Sequence, residues 1–247
     1  MVGAEKMTHT TTAEVTQALA GAGYQNDPAE AGLSFPQLFG RAARQYAERY
    51  HCPLGSMAAI ATKNHSNAMA NPLAQMHRVM DFEHCNNVSQ SNPFVADSLR
   101  LTDCSLISDG AAAIILASPK RARAFRRDVQ IRTLTQVNDC LPIAQRDILA
   151  FEGPQRAIHT ALRGANITLA DLSFAEVHDC FTIAELLIYE AMGLAPKGEG
   201  HRVLDSGVVR AGGRLPVNLS GGLKAKGHPV GATGVSVSYT HLRAHET

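Results

Sequence analysis

The chain carries a glycine-rich stretch, Asn218-Leu-Ser-Gly-Gly-Leu-Lys-Ala-Lys-Gly-His-Pro-Val-Gly-Ala-Thr-Gly234. Glycines crowded into one turn let the backbone approach a ligand closely, because glycine has no Cβ. Gly222 and Gly227 have the spacing of a phosphate-binding loop, but His228-Pro229 stands where such a loop carries Lys-Ser or Lys-Thr. A histidine held between glycine and proline has a restricted backbone, which suits a positioned general base. A structural turn ahead of a helix is the alternative interpretation.

A second segment with reactive side chains lies upstream, His178-Asp-Cys-Phe-Thr-Ile-Ala-Glu185. Thr182 and Glu185 have the spacing of a capping box, which predicts a helix that begins at Thr182. Cys180 would then precede a helix N-terminus, where the helix dipole favours a thiolate. His178 titrates near neutral pH. The pair therefore suits nucleophilic or acid–base chemistry, and the alternative is a buried cysteine beside a core histidine.

The rest of the sequence alternates between helical and strand patterns, which favours the α/β class. Hydrophobic periodicity and end signals predict helices over residues 35–50, 154–162 and 183–192. Strand patterns cover residues 108–117, 129–137, 171–177 and 215–219, and the apolar run in the first predicts a strand buried on both faces. A polar, turn-rich connection is expected around Asn64, Asn67, Asn71 and Pro72.

Composition excludes several classes of protein. The chain has 247 residues, about 1.6 domains at roughly 150 residues per domain, with 45% hydrophobic and 18% charged residues, which is typical of a globular protein. Its net charge of +1 gives no field that would recruit nucleic acid or an anionic membrane. The basic run at residues 120–127 is better interpreted as a solvated helix face. The apolar run at residues 111–117 is too short to span a bilayer.

Cysteine and histidine spacing indicates neither a disulfide framework nor a metal site. The five cysteines are an odd number without a C-x-x-C pair, which fits a reducing cytoplasm. The pairs His51-Cys52 and His84-Cys85 lack the usual zinc-ligand spacing, so we expect no metal site. The N-terminus turns polar before a signal-peptide core could form. We therefore expect a cytoplasmic protein.

Taken together, the two motif segments resemble those of the thiolase superfamily, in particular its sterol-carrier-protein type. The segment at residues 3–7 is similar to the one that follows the family's nucleophile helix, and the segment at residues 108–113 to the last strand of its N-terminal half. Lys63-Asn-His65 with Asn71-Pro72 is similar to part of the family's loop domain. The resemblance covers residues 1 to about 234. It implies a thiolase-like fold, a layered αβαβα arrangement of two similar halves, incomplete in this chain.

The resemblance also implies an activity, the exchange of acyl groups between coenzyme A thioesters through an acyl-cysteine, in lipid or sterol side-chain metabolism. His228 would activate the nucleophilic cysteine, and His178 would help to build the oxyanion hole. Cys180 would be the cysteine that shuttles a proton to or from the α-carbon. The turn formed by Ser220, Gly221 and Gly222 would lie along the pantetheine arm. Acyl-CoA and CoA are then substrates, and no covalently bound cofactor is implied.

The sequence departs from the family pattern near both ends. The family's nucleophile would lie upstream of Met1, and Cys52, Cys85 and Cys104 lie outside any similar motif. After Gly234 the family continues with a helix and two strands, whereas residues 238–247 are expected to be a non-native tail. We therefore expect a fragment with a remnant of the N-terminal domain and its loop domain at residues 1–123. An incomplete C-terminal domain would occupy residues 124–237.

Two other functions are compatible with the sequence. A steroid-CoA retro-aldolase of the same fold cleaves carbon–carbon bonds without an acyl-cysteine and works with a small OB-fold-type partner subunit. Proteins that resemble it tend to carry tyrosine at the position of His178, which weighs against this function. A non-catalytic acyl-CoA-binding or scaffolding protein would have kept the pantetheine turn and lost the nucleophile. By analogy with thiolases, the full-length form would be a homodimer or homotetramer.

Overall fold

The computed structural model describes residues 1–53, 55–125 and 129–244, with side chains described as far as Leu242. Short 3₁₀ turns at residues 101–103, 143–145, 148–150 and 169–171 connect the longer elements. The strands are β1 (Val2–Glu5), β2 (Phe94–Ala96), β3 (Leu99–Arg100) and β4 (Gly110–Ala113). The helices are α1 (Thr12–Ala20), α2 (Phe35–Tyr50), α3 (Gly55–Ala68), α4 (Phe82–Asn86), α5 (Pro119–Ala122), α6 (Glu152–Ala165), α7 (Thr182–Met192), α8 (Gly200–Asp205), α9 (Gly222–Lys226) and α10 (Val230–Ala244).

The three predicted long helices are confirmed as α2, α6 and α7. Ser34 caps α2 in a reciprocal box with Gln37, so the start of this helix is encoded locally. Helix α6 ends at Asn166 and α7 at Gly193, both with left-handed backbone, as expected for helix C-termini. Every residue of α7 is buried. Helix α7 is therefore the centre of the fold.

The main hydrophobic core forms around α7. Helices α2 and α3 pack against it with Tyr46 and Ile60, and α8 adds Leu204. Phe39 of α2 stacks on Phe181, the residue just before α7, with ring centroids 4.8 Å apart. Such burial contributes about 1.5–3 kcal/mol for each large apolar side chain. The core therefore fixes the start of α7, where one motif segment lies.

The strand predictions are largely wrong. Residues 129–137 form no strand in the described structure, and Ile131 and Leu134 are exposed there. Residues 171–177 and 215–219 meet only in one parallel bridge, between Ala175 and Val217. Alternating apolar and polar residues predict that one face of a strand is buried, but a strand also needs a neighbouring strand to form its hydrogen bonds. No described segment pairs with residues 129–137.

Strand β4 is confirmed within residues 108–117, but its predicted burial on both faces is wrong. It pairs antiparallel with β1, with Gly3 opposite Ala112. Helix α10 packs against this pair, and the backbone of β1 at Gly3 approaches Gly231 closely. Residues of β4 are alternately half-buried and exposed. Because the described structure covers one face of the pair with α10, only that face loses its water.

Two further predictions concern the chain ends and the surface. Helix α10 continues through Ala244, so residues 238–244 are helical, and His241 stacks on Phe174 at 4.9 Å between centroids. Residues 245–247 of the expected tail lie outside the described residues, as do Arg126 and Arg127 of the basic run. None of the helices in the described ranges is long and apolar enough to cross a membrane.

Candidate active site

The structure brings the two motif segments together at the ends of helices. His178 and Cys180 lie in the loop before α7, and His228 lies between α9 and α10. The rings of His178 and His228 meet edge to face, with centroids 5.2 Å apart and planes at 87°. The two imidazoles therefore lie in contact next to the N-terminus of α7.

His228 is held by one hydrogen bond from its backbone and one at its ring. Its N–H donates to Ser108 Oγ (3.1 Å), and its Nδ1 lies 2.8 Å from Thr233 Oγ1. Burial lowers the pKa of His228 to about 4, and the neighbouring charges of His178 and Lys226 add to this effect. The imidazole is therefore neutral at pH 7 and can accept a proton.

Cys180 is buried, and its environment opposes the thiolate that the sequence predicted. Burial raises the pKa of the Cys180 thiol, and the adjacent Asp179 carboxylate raises it further. Desolvation outweighs the dipole at the start of α7 because the side chain has almost no contact with water. Cys180 is thus a protonated thiol at neutral pH, able to donate a proton rather than to attack as a thiolate.

The predicted capping box at the start of α7 is also wrong, although the helix does begin at Thr182. The preceding residue, Phe181, makes no side-chain capping bond. The Thr182 hydroxyl donates instead to Asp103 Oδ1 (2.8 Å). Glu185 turns into the protein interior, where it pairs with Lys63. Both side chains that the local sequence assigned to the cap therefore bind residues from distant parts of the chain instead.

A buried polar network lies beneath the two motif segments and joins them to α3. Lys63 Nζ forms an ion pair with Glu185 Oε1 at 2.9 Å. The Asn64 amide donates to Asp179 Oδ2 (2.8 Å) and to Glu185 Oε2 (2.7 Å). Asn218 donates its amide to Glu185 Oε2 at 2.8 Å. Because any member left alone would be an unpaired buried polar group, the network holds both loops in register.

Sequence reasoning missed this network. The prediction of a turn-rich connection is wrong for Asn64 and Asn67, which lie in α3 and are buried. His65 beside them is also fully buried, and its two ring nitrogens have no hydrogen-bond partner among the described residues. Consecutive polar residues normally indicate a surface, and only their similarity to a family segment singled out Lys63-Asn-His65. Their partners come from distant parts of the chain.

Asp179 connects the cysteine loop to the glycine-rich turn. Its carboxylate accepts hydrogen bonds from the N–H groups of Leu223 (2.6 Å) and Lys224 (3.3 Å), at the start of α9. Gly222 has φ +60°, and a Cβ there would lie 2.7 Å from the Asp179 Cγ. Burial, with the nearby charge of Glu185, raises the pKa of Asp179. The turn thus requires glycine next to this carboxylate.

The predicted binding turn is fixed from the other side by Glu176. Ser220 donates its N–H (2.9 Å) and its hydroxyl (2.5 Å) to the two oxygens of that carboxylate. Asn71 donates its amide to the carbonyl of Ser220 at 2.9 Å. Gly221 has φ +98°, and a Cβ there would lie 2.7 Å from that of Ala68. Ser220, Gly221 and Gly222 therefore form a rigid turn.

A cavity of about 630 Å³ opens beside this turn. Ser220, Gly227 and Pro229 line it, so it borders both the turn and the loop that carries His228. Lys226 also lines it, with an ammonium nitrogen that has no partner among the described residues. Cavities of this size accommodate small-molecule ligands. In the described ranges, no three His, Cys, Asp or Glu side chains are grouped to hold a metal ion.

Comparisons with protein families and relatives agree along the chain. Residues 1–120 match the family model "Thiolase, N-terminal domain", and residues 135–243 match "Thiolase C-terminal domain-like". An acetyl-CoA acetyltransferase of Methanothermobacter thermautotrophicus is 39% identical over 236 residues, which are 95% of this chain and 60% of that protein. Human sterol carrier protein 2 is 34% identical over 209 residues, 81% of this chain and 37% of that protein.

Solved structures show the same fold. The Ltp2-ChsH2(DUF35) aldolase structure superposes with a TM-score of 0.75 at 21% identity, over 95% of this chain and 62% of that one. A monomeric SCP2-thiolase-like protein type 1 from Mycobacterium smegmatis gives a TM-score of 0.68, over 86% of this chain and 47% of that one. The chain spans at most 60% of the length of the curated relatives named above. With both domain models matched in order, the chain belongs to the thiolase family and has a thiolase-like fold.

Proposed function

We propose that this chain carries the proton-transfer and binding residues of a thiolase that exchanges acyl groups between coenzyme A thioesters. The observation that carries the proposal is the pairing of His178 and His228, 5.2 Å apart, at the loop that also contains Cys180. A neutral imidazole and a protonated thiol at one site are a base and an acid, respectively, at neutral pH.

The chemistry divides among these three residues. In the degradative direction a nucleophilic cysteine takes the acyl group of a 3-ketoacyl-CoA, and the carbon–carbon bond breaks. His228 removes the proton from that nucleophile, and Cys180 donates a proton to the departing enolate carbon of acetyl-CoA. His178 stabilises the thioester oxygen as charge develops on it. A CoA thiol then gives its proton to the Cys180 thiolate and attacks the acyl-cysteine. The second thioester is released, and the departing cysteine thiolate takes back the proton held by His228.

The nucleophile itself is assigned to none of the cysteines near the core. Burial raises the pKa of Cys52, Cys85 and Cys104, which leaves each of them a weak nucleophile at neutral pH. The proposal therefore takes none of these three cysteines as the nucleophile. The same proposal includes a domain boundary near residue 123. It also includes assembly as a homodimer or homotetramer and a cytoplasmic location.

The binding turn is part of this function. We assign Ser220, Gly221 and Gly222 to the pantetheine arm, because the turn is rigid and its Ser220 lines the 630 Å³ cavity. Acyl-CoA and CoA are the substrates, and the mechanism uses no covalently bound cofactor. The sterol or lipid nature of the acyl group rests on the sterol-carrier-protein relatives.

The test is thiolysis of acetoacetyl-CoA by the full-length protein that contains this chain. Incubation with CoA should release acetyl-CoA, and Cys180→Ala or His228→Asn should lower kcat by about 10²–10⁴-fold, the usual contribution of a general acid or base. Cys140→Ala, at an exposed cysteine, is the control that leaves the rate unchanged.

Two outcomes would overturn the proposal. Tight binding of acetoacetyl-CoA without release of acetyl-CoA would indicate the non-catalytic acyl-CoA-binding protein. Cleavage of a steroid-CoA aldol that needs an added partner subunit would indicate the retro-aldolase, against which His178 already weighs.

A further inference from the structure

The hydroxyl of Thr233 contacts the catalytic imidazole and the backbone at the same time. Its Oγ1 lies 2.8 Å from His228 Nδ1 and 2.9 Å from the carbonyl oxygen of Pro229. Thr233 is buried in the first turn of α10, so water does not compete strongly for these contacts. The same carbonyl also accepts the N–H groups of Ala232 and Thr233. A threonine that bonds back to the carbonyl four residues earlier is common in helices.

The two contacts determine the direction of both hydrogen bonds. A carbonyl oxygen can only accept, and a hydroxyl has a single hydrogen to donate. The Thr233 hydrogen therefore points to Pro229, and its oxygen accepts from the ring of His228. That arrangement requires the hydrogen of the neutral imidazole on Nδ1. The lone pair is then on Nε2, the nitrogen that faces away from Thr233.

Ser108 orients the same residue through its backbone. Its hydroxyl donates to the carbonyl of Leu106 (3.1 Å), so its oxygen is free to accept the N–H of His228 (3.1 Å). The Ser108 hydroxyl thus holds the backbone of His228, and the Thr233 hydroxyl in α10 holds its ring. The peptide bonds to Gly227 and Pro229 restrict it further.

We propose that Thr233 is a positioning residue that holds His228 in the tautomer with Nδ1 protonated and Nε2 free to act as the base. Thr233 is buried and acts through the imidazole. The inference rests on the proposed function for its catalytic meaning, but the tautomer is a property of this chain by itself. Loss of the hydroxyl should release the ring to exchange between tautomers.

The test is the ¹⁵N NMR spectrum of histidine-labelled protein at pH 7. In the wild type, His228 should show a protonated Nδ1 and an unprotonated Nε2. Thr233→Val keeps the shape of the side chain and should shift the two ring nitrogens towards averaged values, whereas Thr233→Ser should restore the wild-type pattern. Thr240→Val is the matched control, because Thr240 makes the same back-bond in α10, to Ser236 (3.1 Å).

The outcomes separate this inference from the proposed function. A hydrogen on Nε2 in the wild type would overturn it, as would a wild-type pattern in Thr233→Val. The wild-type spectrum decides even if that variant fails to fold. In the full-length enzyme, Thr233→Val should lower kcat about tenfold, the loss expected from one hydrogen bond, with little change in KM. A wild type without thiolysis but with the expected tautomer would refute only the proposed function.

Discussion

Replacing Gly222 by alanine should destabilise the protein strongly, because this residue is held between a strained turn and a buried carboxylate. Its φ of +60° lies in the left-handed region, which costs a residue with a Cβ about 1–2 kcal/mol. The new Cβ would also lie 2.7 Å from the Asp179 Cγ, and such overpacking costs about 1–3 kcal/mol. Asp179 would have to move away from the N–H groups of Leu223 and Lys224. We expect a total loss of about 2–5 kcal/mol.

Urea unfolding measures this loss as a shift of the transition midpoint at constant slope. Gly234→Ala is the matched control, since Gly234 lies within α10 and an added Cβ meets nothing within 4 Å. That variant should gain about 0.5–1 kcal/mol, because alanine favours the helix. A loss below about 1 kcal/mol for Gly222→Ala, well under the strain and overpacking costs, would refute the link between this turn and Asp179.

Three further predictions concern buried groups. Lys63→Met should cost about 3–5 kcal/mol in urea unfolding, because it leaves the buried Glu185 carboxylate with its amide hydrogen bonds but without its positively charged partner. The ring protons of His228 should titrate near pH 4 by NMR, far below its ordinary value of 6.5. The unfolded chain binds more protons in this interval, so His228 should lower the stability as the pH falls from 6.5 towards 4. At pH 8, iodoacetamide should alkylate exposed Cys140 well before Cys180, measured by peptide mass.

Each of these has its own control and contrary result. Arg202→Met breaks an exposed pair with Glu199 and should change stability by less than about 1 kcal/mol. If Lys63→Met changed the stability as little as Arg202→Met does, the buried pair of Lys63 and Glu185 would contribute nothing to stability. A midpoint for His228 near 6.5 would mean that water reaches the ring. Alkylation of Cys180 as fast as that of Cys140 would mean that its thiol is exposed or ionised.

The helices could be predicted because their signals are local. Ser34 and Gln37 define the start of α2 within one turn, and Asn166 and Gly193 end α6 and α7. Strands depend on partners elsewhere in the chain. The alternating pattern at residues 129–137 could not tell that no described segment pairs with it.

The candidate site remains a prediction, and its residues came in part from local sequence. The motif segments, in family order, identified His178, Cys180 and His228, and the structure brings the two histidines into contact. The protonation of Cys180 could not be predicted, because burial by distant residues overrides the helix dipole. Lys63 and Asn64 also escaped residue-level reasoning, since their partners on α7 and in the motif loops lie far away in sequence.

The most direct test of the proposed site is exchange of the α-hydrogens of acetyl-CoA for deuterium in D₂O. Such exchange needs no acyl-cysteine, so this chain can be tested as it is. Cys180 passes its proton to a neutral imidazole of the pair His178 and His228, takes the α-hydrogen of the bound thioester as a thiolate, and returns a deuteron from the solvent to the α-carbon. We predict deuterium in the acetyl group by mass spectrometry, with a rate that falls about 10²–10⁴-fold in Cys180→Ala and is unchanged in Cys140→Ala. Absence of exchange with bound acetyl-CoA, or an equal rate in Cys180→Ala, would contradict the assignment of Cys180 as the proton donor.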